Sequence, residues 1–307
     1  MSKYSEQVIN LPRVISFDEF KDDTNEGKYA FILNDSIHKK AIDLLPSRKK
    51  EYQNQYFTYC ENRHSIEYVV SDMYEPYLLV TQIMFPKAKY VVDRFHYTRY
   101  VMDALDIVRI RLQKEYGDNS KEYRMLKNKK NATLLMKYSN DVDWWTYTKR
   151  YKNKHTVDIL KYDLRKQLLG ISKEMKDTYL LKELFLDVVH STTYEYAELE
   201  FKEWIETVKN YGINEMIKAS KTIENWLPYK VNSFIDKRVS NEFIEGLNNK
   251  IKVIKRVAFE YRNFRFFRLR LMYILNGKVS GMTKKDRNAK KMLSATKKKK
   301  KFFKKPK

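Results

Sequence analysis

The sequence is poor in the residues that build disulfides, structural zinc sites and membrane spans. Among its 307 residues there is one cysteine, Cys60, so neither an internal disulfide nor a Cys-x-x-Cys ligand pair can form. No apolar run reaches the roughly 18 residues of a membrane-spanning helix, and the first residues lack the apolar core of a signal peptide. We therefore expect a cytoplasmic protein with no membrane partner.

Signatures of common hydrolytic enzymes are also scarce. None of the five histidines belongs to a His-x-x-x-His pair of the kind that holds catalytic zinc. Cys60 and His64 are four residues apart, but two ligands do not complete a structural zinc site, and no supporting motif surrounds Cys60 as a nucleophile. Gly-x-x-x-x-Gly-Lys-Ser/Thr is absent, so nucleotide hydrolysis by a P-loop has no support.

What the chain has in excess is positive charge. Its 62 Lys and Arg residues stand against 39 Asp and Glu, a formal net charge of +23. About half of the excess lies in residues 284–307, where the Lys297–Lys301 run is also typical of a disordered tail. A basic excess gives sequence-independent affinity for phosphate through counterion release, so the composition favours DNA as a partner.

Three short runs rich in β-branched and aromatic residues each end on an aspartate: Arg13–Asp18, Ile66–Asp72 and Tyr90–Asp93. Their composition and polar flanks predict β-strands. A hairpin is predicted between the first two runs, from the apolar segments Tyr29–Leu33 and Ala41–Leu45. Because sites in open α/β sheets gather outside the carboxyl ends of strands, we expect the three aspartates to share one edge of a sheet.

A helix with a polar row is predicted from Val239 to Arg256. Ser240 suits its N-cap, and Glu242 suits its first turn. Apolar residues recur at helical spacing, and beside them lies a second row: Glu245, Asn249, Lys252 and Arg256. One carboxylate ahead of amides and cations would suit a metal ligand beside a DNA backbone, and an ordinary solvated face fits the same pattern.

The middle of the chain, from about Tyr97 to Leu227, has helical spacing and no strand-like runs. We expect an all-α insertion there, which has to loop out and return if Asp72 and Glu245 are to meet. Trp144 and Trp145 are its most conspicuous pair. They could stack on an unpaired DNA base, or they could pack between helices, since aromatic residues dominate core energetics.

These segments together resemble a DDE-class insertion-sequence transposase of the subgroup with a zinc-ribbon and helix-turn-helix head before a ribonuclease-H-like core. Four blocks carry the resemblance, in this order: Ile15–Phe20, Asp72–Tyr77, Val92–His96, and Ser240–Arg256 continuing through Tyr261–Arg265. The sequence departs from the family pattern at Asn241-Glu242, where relatives tend to have Asn-Gly. It departs again in having only Met1–Pro12 before the first strand, so we expect the head to be absent.

The resemblance implies an α/β fold, a ribonuclease-H-like mixed sheet with helices that is interrupted by the all-α insertion. It implies a core in residues 1–100 and 228–282, the insertion in 101–227 and a basic, disordered tail in 283–307. It also implies that Asp18, Asp72 and Glu245 are the catalytic carboxylates and hold two Mg²⁺ or Mn²⁺ ions, with Asp93 as the runner-up ligand. Asp93 and His96 match an Asp-x-x-His element that we expect to support the site.

The implied function is metal-dependent cleavage of transposon ends and transfer of the freed 3′-hydroxyl into target DNA. The implied partners are the two DNAs, further copies of the chain on DNA in the bacterial nucleoid, and a separately encoded end-recognition domain. The alternatives are a truncated, inactive remnant that binds DNA non-specifically, and a basic helical nucleic-acid-binding protein with accidental carboxylates. The expected DNA contacts are Lys250, Lys252, Lys255, Arg256, Arg262, Arg265, Trp144 and Trp145. Arg268 and Arg270 belong to the same series of cations interleaved with aromatic residues, a mix that suits phosphate contact.

Overall fold

A five-stranded mixed sheet organises the N-terminal part of the chain. The computed structural model describes residues 10–24, 26–145, 147–150, 156–235, 242–257 and 263–276. The strands are β1 (Val14–Thr24), β2 (Gly27–Asp35), β3 (Lys40–Leu45), β4 (Tyr68–Ser71) and β5 (Lys89–Val92). They lie in the order β3-β2-β1-β4-β5; β2 is antiparallel to β1 and to β3, while β4 is parallel to β1 and to β5. The predicted α/β class with a mixed sheet is confirmed.

The β2–β3 hairpin forms where the sequence changes from apolar to polar residues. The Asp35 carboxylate accepts the backbone N–H groups of Ile37 and His38 at 3.0 and 2.9 Å, an Asx-type arrangement that favours a turn. Lys39 completes the turn with a φ of 53°. The hairpin therefore follows from local hydrogen bonding together with the apolar segments on either side of the turn.

Helices cover both faces of the sheet. On one face, helices α1 (Lys50–Thr58) and α2 (Glu75–Met84) bring Phe57 and Tyr77 against Phe17 of β1, with ring centroids 5.5 and 5.8 Å away. On the other face lie α11 (Glu242–Val257) and α12 (Phe264–Leu275). Their residues Leu247, Ile251, Phe267 and Leu271 form a separate buried cluster with Phe20, Ala30, Ile32, Ala41 and Leu44 of the sheet. The sheet is therefore sandwiched between elements from opposite ends of the chain.

The region between the sheet and α11 is mainly helical. Its helices are α3 (Arg94–Glu115), α4 (Lys121–Lys127), α5 (Lys129–Met136), α6 (Lys161–Leu169), α7 (Lys173–Ser191), α8 (Tyr194–Tyr211), α9 (Asn214–Asn225) and α10 (Leu227–Val231). Phe185, Phe201 and Trp204 pack together in its interior, with Phe185 and Trp204 centroids 4.8 Å apart. The buried residues of these helices are continuous with those of the α1–α2 face of the sheet.

The expectation of an all-α insertion is wrong in one place. Strands β6 (Tyr147–Arg150) and β7 (Thr156–Ile159) form an antiparallel hairpin between α5 and α6. The residues Tyr-Thr before the connection and Thr-Val-Asp-Ile after it are rich in β-branched and aromatic types, which favour strands. Each run is only four residues long, so periodicity alone did not reveal it.

Among the described helices, none is both long and apolar enough to cross a bilayer. The basic tail 283–307 lies outside the described residues, as do residues 236–241 and 258–262. For Glu242, Glu245 and Val257, the structure describes the main chain alone.

Candidate carboxylate site

The register of the parallel strands aligns the three aspartates. β1 and β4 pair Ser16 with Val70, so Asp18 and Asp72 each lie two residues further along. β4 and β5 pair Ser71 with Val92, so Asp72 and Asp93 each lie one residue further along. The structure thus brings the three side chains to one edge of the parallel part of the sheet.

Asp18 differs from the expectation in one respect, because β1 does not end there. The strand continues to Thr24 and pairs with β2 alone, with Asp18 opposite Ile32. The parallel partner β4 stops at Ser71. Asp18 therefore lies in a regular strand that pairs with β2 on one side. Its described pairing with β4 on the other side ends at Ser16, and Asp72 follows the end of β4 there.

The Asp18 carboxylate is almost completely buried, with 9% of the residue exposed. Its Oδ1 accepts the backbone N–H of Glu19 at 2.7 Å, and its Oδ2 accepts an N–H from Asn248 Nδ2 at 2.7 Å. Burial, with the negative charge of Asp72 as the second cause, raises the pKa of Asp18 to about 7, and the two hydrogen bonds oppose this shift. A nearby positive charge would offset both causes, since it favours the ionised form.

Asp72 lies against a histidine from the next helix. His96 Nε2 is 2.7 Å from Asp72 Oδ1 and 4.0 Å from Asp93 Oδ2. Asp93 is buried and is the N-cap of α3, where it accepts the N–H of Phe95 at 3.4 Å. The first turn of α3 therefore positions His96 between two carboxylates.

The charge state of His96 follows from these neighbours. Burial lowers the pKa of His96, but the hydrogen bond and negative charge of Asp72, joined by the charge of Asp93, outweigh it and leave the pKa above its ordinary value. These surroundings thus favour the protonated imidazole more than water does. When protonated, His96 is a cationic partner for Asp72, and the first turn of α3 fixes its position.

Helix α11 reaches the site through Asn248. The hydrogen bond from Asn248 to Asp18 joins residues 230 positions apart in the sequence. The main chain of Glu245 lies three residues earlier on the same helix, and residues three apart are neighbours on a helix surface. The carboxylate of Glu245 itself lies outside the described part of the structure.

The oxygen donors suit a hard divalent cation. Carboxylate and carbonyl oxygens are the ligands that Mg²⁺ and Mn²⁺ prefer, and Asp18 and Asp72 supply such oxygens close enough for one charge to raise the pKa of the other acid. The described residues contain no complete group of three or more metal-binding His, Cys, Asp or Glu side chains. A site with three such side chains would therefore need one from beyond the described residues.

The cations expected to contact DNA differ in their surroundings. Lys250, Lys252 and Arg256 are exposed on α11, and Arg265 is exposed at the start of α12. Lys255 instead donates from Nζ to the Lys21 carbonyl oxygen at 2.7 Å and to Asp22 Oδ1 at 2.6 Å. Arg262 lies outside the described residues.

Arg268, one of the interleaved cations, is held by the fold. Its Nε and Nη2 donate to the two oxygens of Asp43, the second contact at 2.7 Å. Asp43 is buried on β3 and also accepts the Tyr56 hydroxyl at 3.0 Å. This forked ion pair fixes α12, and with it the neighbouring α11, on the sheet.

The two adjacent tryptophans have opposite environments. Trp144 is half-buried; its Nε1 donates to the Ser139 carbonyl oxygen at 2.9 Å, and the Arg165 guanidinium lies 4.1 Å from its ring centroid. Trp145 is 78% exposed just before β6. Trp145 is therefore free of the packing that holds its neighbour.

Asn248 is the residue that the sequence pattern did not identify. The polar row predicted for this helix contained Asn249, which is exposed, whereas Asn248 contacts Asp18. The Asn-Asn pair was the available signal. Helical spacing alone could not decide which of the two amides faces the sheet.

Known proteins resemble the chain over most of its length. The family model for DDE transposases of the ISL3 type, described as transposase, matches residues 15–271. The transposase for insertion sequence element IS1001 of Bordetella parapertussis is 23% identical over 261 residues, 84% of this chain and 59% of that protein. The chain thus spans about three fifths of the length of this relative.

A shorter resemblance is to a protein of Lactococcus lactis subsp. lactis named ATP-dependent protease. It is 30% identical over 123 residues, which are 40% of this chain and 37% of that protein. No solved structure gives a significant match. Because the transposase model spans the strands with the aspartates, the helical region and α11, the chain belongs to the DDE-class insertion-sequence transposases.

Proposed function

We propose that this chain is the catalytic unit of a transposase, which cleaves the ends of a mobile element and transfers the 3′-hydroxyl into target DNA. The observation that carries the proposal is the alignment of Asp18, Asp72 and Asp93 at one sheet edge, with α11 fastened to Asp18 by Asn248. Family membership supplies the reaction class. We further assign the sheet to a ribonuclease-H-like core, with the helices from α3 to α9 as its insertion.

Asp18, Asp72 and Glu245 would hold two Mg²⁺ or Mn²⁺ ions, with Asp93 as the alternative ligand. When bound, such a pair supplies charge stabilisation at both the attacking and the leaving oxygens of an in-line phosphoryl transfer. The protein's own part is to fix the carboxylates. The Glu19 N–H and Asn248 hold the two oxygens of Asp18, and His96 holds Asp72.

The proposed role of His96 is support rather than proton transfer. Its contact with Asp72 limits the rotation of that carboxylate, and Asp93 limits the position of His96 by capping the helix that carries it. Partners of metal-binding side chains orient them in this way in many metal sites. The pair Asp93–His96 thus acts through Asp72.

DNA would pass along the exposed surface of α11 and the start of α12, over Lys250, Lys252, Arg256 and Arg265. Exposed cations on one helix surface suit phosphate contacts, which set position and carry no sequence information. Arg262, for which the structure gives no surroundings, keeps its place in the proposal. Lys255 would contact phosphate only by giving up Asp22, so we expect it to contribute less than its exposed neighbours.

Trp145 would add a stacking contact for an unpaired base, since its ring is exposed and bases of every type offer a stacking face. Trp144 would act by holding the segment in place. Further copies of the chain and a separately encoded end-recognition domain are the proposed partners. The copies follow from the transposase reaction, which joins two ends to one target, and the recognition domain would select those ends.

The experiment is strand joining of an oligonucleotide with a free 3′-hydroxyl, in Mg²⁺ or Mn²⁺. Glu245→Gln keeps the shape of the side chain and loses the charge that would hold a cation, so joining should be abolished. Glu203→Gln is the matched control, because Glu203 is an exposed helical glutamate on α8, in the helical region. Thermal melts would show that both variants fold.

The outcomes separate the alternatives. Equal joining by the wild type and Glu245→Gln would remove Glu245 from the site. Salt-sensitive DNA binding without joining by the wild type, even on a pre-nicked end, would favour the remnant that binds DNA non-specifically. Loss of joining in Glu203→Gln would mean that the assay reports stability and not the carboxylates.

A further inference from the structure

Asn248 connects two elements that must meet for the proposed site to form. Its Nδ2 donates to Asp18 Oδ2 at 2.7 Å. Residues on either side of it along α11, Leu247 and Ile251, are buried against the sheet. The amide is therefore a polar contact beside the apolar residues that hold α11 on the sheet, in addition to the hydrogen bonds from Lys255 to Lys21 and Asp22.

The oxygen of the same amide has no hydrogen-bond donor among the described residues. Asn248 Oδ1 is buried and accepts no hydrogen bond from the described residues. A buried acceptor without a donor is unfavourable, because it loses its hydrogen bonds to water. Such an atom beside a carboxylate calls for a positively polarised partner that the described residues do not provide.

The charges around Asn248 Oδ1 restrict which partner this atom can have. Asp18 and Asp72 already repel one another, and a further carboxylate at this position would add to the repulsion. An amide offers an oxygen without adding charge, and carbonyl oxygens are suitable ligands for Mg²⁺ and Mn²⁺. An asparagine thus satisfies both demands: it donates to Asp18 and leaves an oxygen for a cation.

We propose that Asn248 is a positioning residue of the carboxylate site, which fixes Asp18 through Nδ2 and offers Oδ1 to the divalent cation. The inference rests on the proposed function, since it deepens the same site. It assigns to α11 two contributions, the family glutamate and this amide one turn later. It also accounts for the Asn248 acceptor that the described residues leave without a donor.

The test measures Mn²⁺ binding to the full chain without DNA, by titration calorimetry and by the loss of the free-ion paramagnetic resonance signal. Asn248→Ala removes both contacts and should weaken Mn²⁺ binding about ten- to a hundredfold, as the loss of partners of metal ligands does elsewhere. Asn249→Ala is the matched control, since it deletes the same side chain one position along, on the exposed side. It should leave the affinity unchanged.

Asn248→Asp separates the metal role from a purely structural one. It keeps the shape and an oxygen but replaces the N–H donor with a negative charge beside Asp18. We expect a lower melting temperature than the wild type in EDTA at pH 8, and a larger rise in melting temperature on addition of Mn²⁺. The cation would offset the added repulsion, so binding should be rescued relative to Asn248→Ala.

Two results would overturn the inference, and they can be told apart. Equal Mn²⁺ affinity in the wild type, Asn248→Ala and Asn249→Ala, with a lower melting temperature only in Asn248→Ala, would reduce Asn248 to a structural hydrogen bond. Absence of Mn²⁺ binding by the folded wild type would overturn the proposed metal site and this inference together. Should Asn248→Ala not fold, the comparison of Asn248→Asp with the wild type decides the question.

Discussion

Replacing Asp18 with asparagine should stabilise the metal-free protein at neutral and alkaline pH. Burial and the charge of Asp72 raise the pKa of Asp18 from 3.8 to about 7 in the folded chain. The folded protein therefore keeps a proton that the unfolded chain has already lost between these values. Stability from this group is greatest below pH 4, falls as the pH rises to about 7, and stays low above it. Asparagine does not titrate and escapes this loss.

The magnitude follows from the size of the shift. A change of roughly three pKa units corresponds to about 4 kcal/mol at 1.36 kcal/mol per unit, which is the largest stabilisation expected at pH 8. At pH 5 most of the loss has yet to occur, so the advantage of Asp18→Asn should grow by roughly 2–3 kcal/mol between pH 5 and pH 8. The Asn248 amide can rotate to present Oδ1, its unused acceptor, to the new N–H group.

The assay is urea unfolding of both proteins in EDTA, at half-unit steps from pH 5 to pH 8. A constant difference in unfolding free energy over this range, or a variant that is less stable at pH 8, would refute the reasoning. Adding Mn²⁺ should narrow the gap at pH 8, because a bound cation stabilises ionised Asp18 and has less to bind in the variant. Asp118→Asn, at the polar turn between α3 and α4, serves as the surface control.

Two further predictions concern the tryptophan pair and the ion pair under α12. Trp145→Ala should leave the melting temperature unchanged and weaken binding to DNA ends with unpaired bases, whereas Trp144→Ala should lower the melting temperature. Fluorescence anisotropy measures the binding, and thermal melts measure the stability. Equal effects of the two substitutions would contradict the division of roles. Arg268→Met should destabilise the fold by about 3–5 kcal/mol, because it leaves the buried Asp43 charge unpaired, while the double change with Asp43→Asn should recover much of the loss. Chemical unfolding measures both free energies. An Arg268→Met variant as stable as the wild type would contradict the stabilising role of this ion pair.

The sequence predicted the strands of the site well. Short β-branched runs before Asp72 and Asp93 coincide with β4 and β5, because parallel strands buried on both faces read as continuous apolar segments. The end of β1 was missed. The chain beyond Asp18 is polar, yet it pairs with β2, and pairing to a distant partner is a tertiary property.

The C-terminal helices show where sequence patterns fail. Helical periodicity predicted α11. Successive residues differ by about 100° around a helix, so a small error in the assumed orientation of the helix exchanges Asn248 and Asn249, and the predicted polar row contained Asn249 alone. Arg268 was interpreted as a phosphate contact, since nothing local reveals a buried partner at Asp43 on β3. Both errors depend on contacts with a strand more than 200 residues away.

The contact between Asp18 and Asn248 determines when the carboxylate site can assemble during synthesis of the chain. Adding the 230 residues from Asp18 to Asn248 at 5–20 residues per second takes roughly 10–50 s, and during this time a nascent chain gains Asp72 and Asp93 well before α11. Bringing such distant segments together also carries a large loop-closure cost and slows folding. A carboxylate site built this way stays incomplete on the ribosome until α11 has been made.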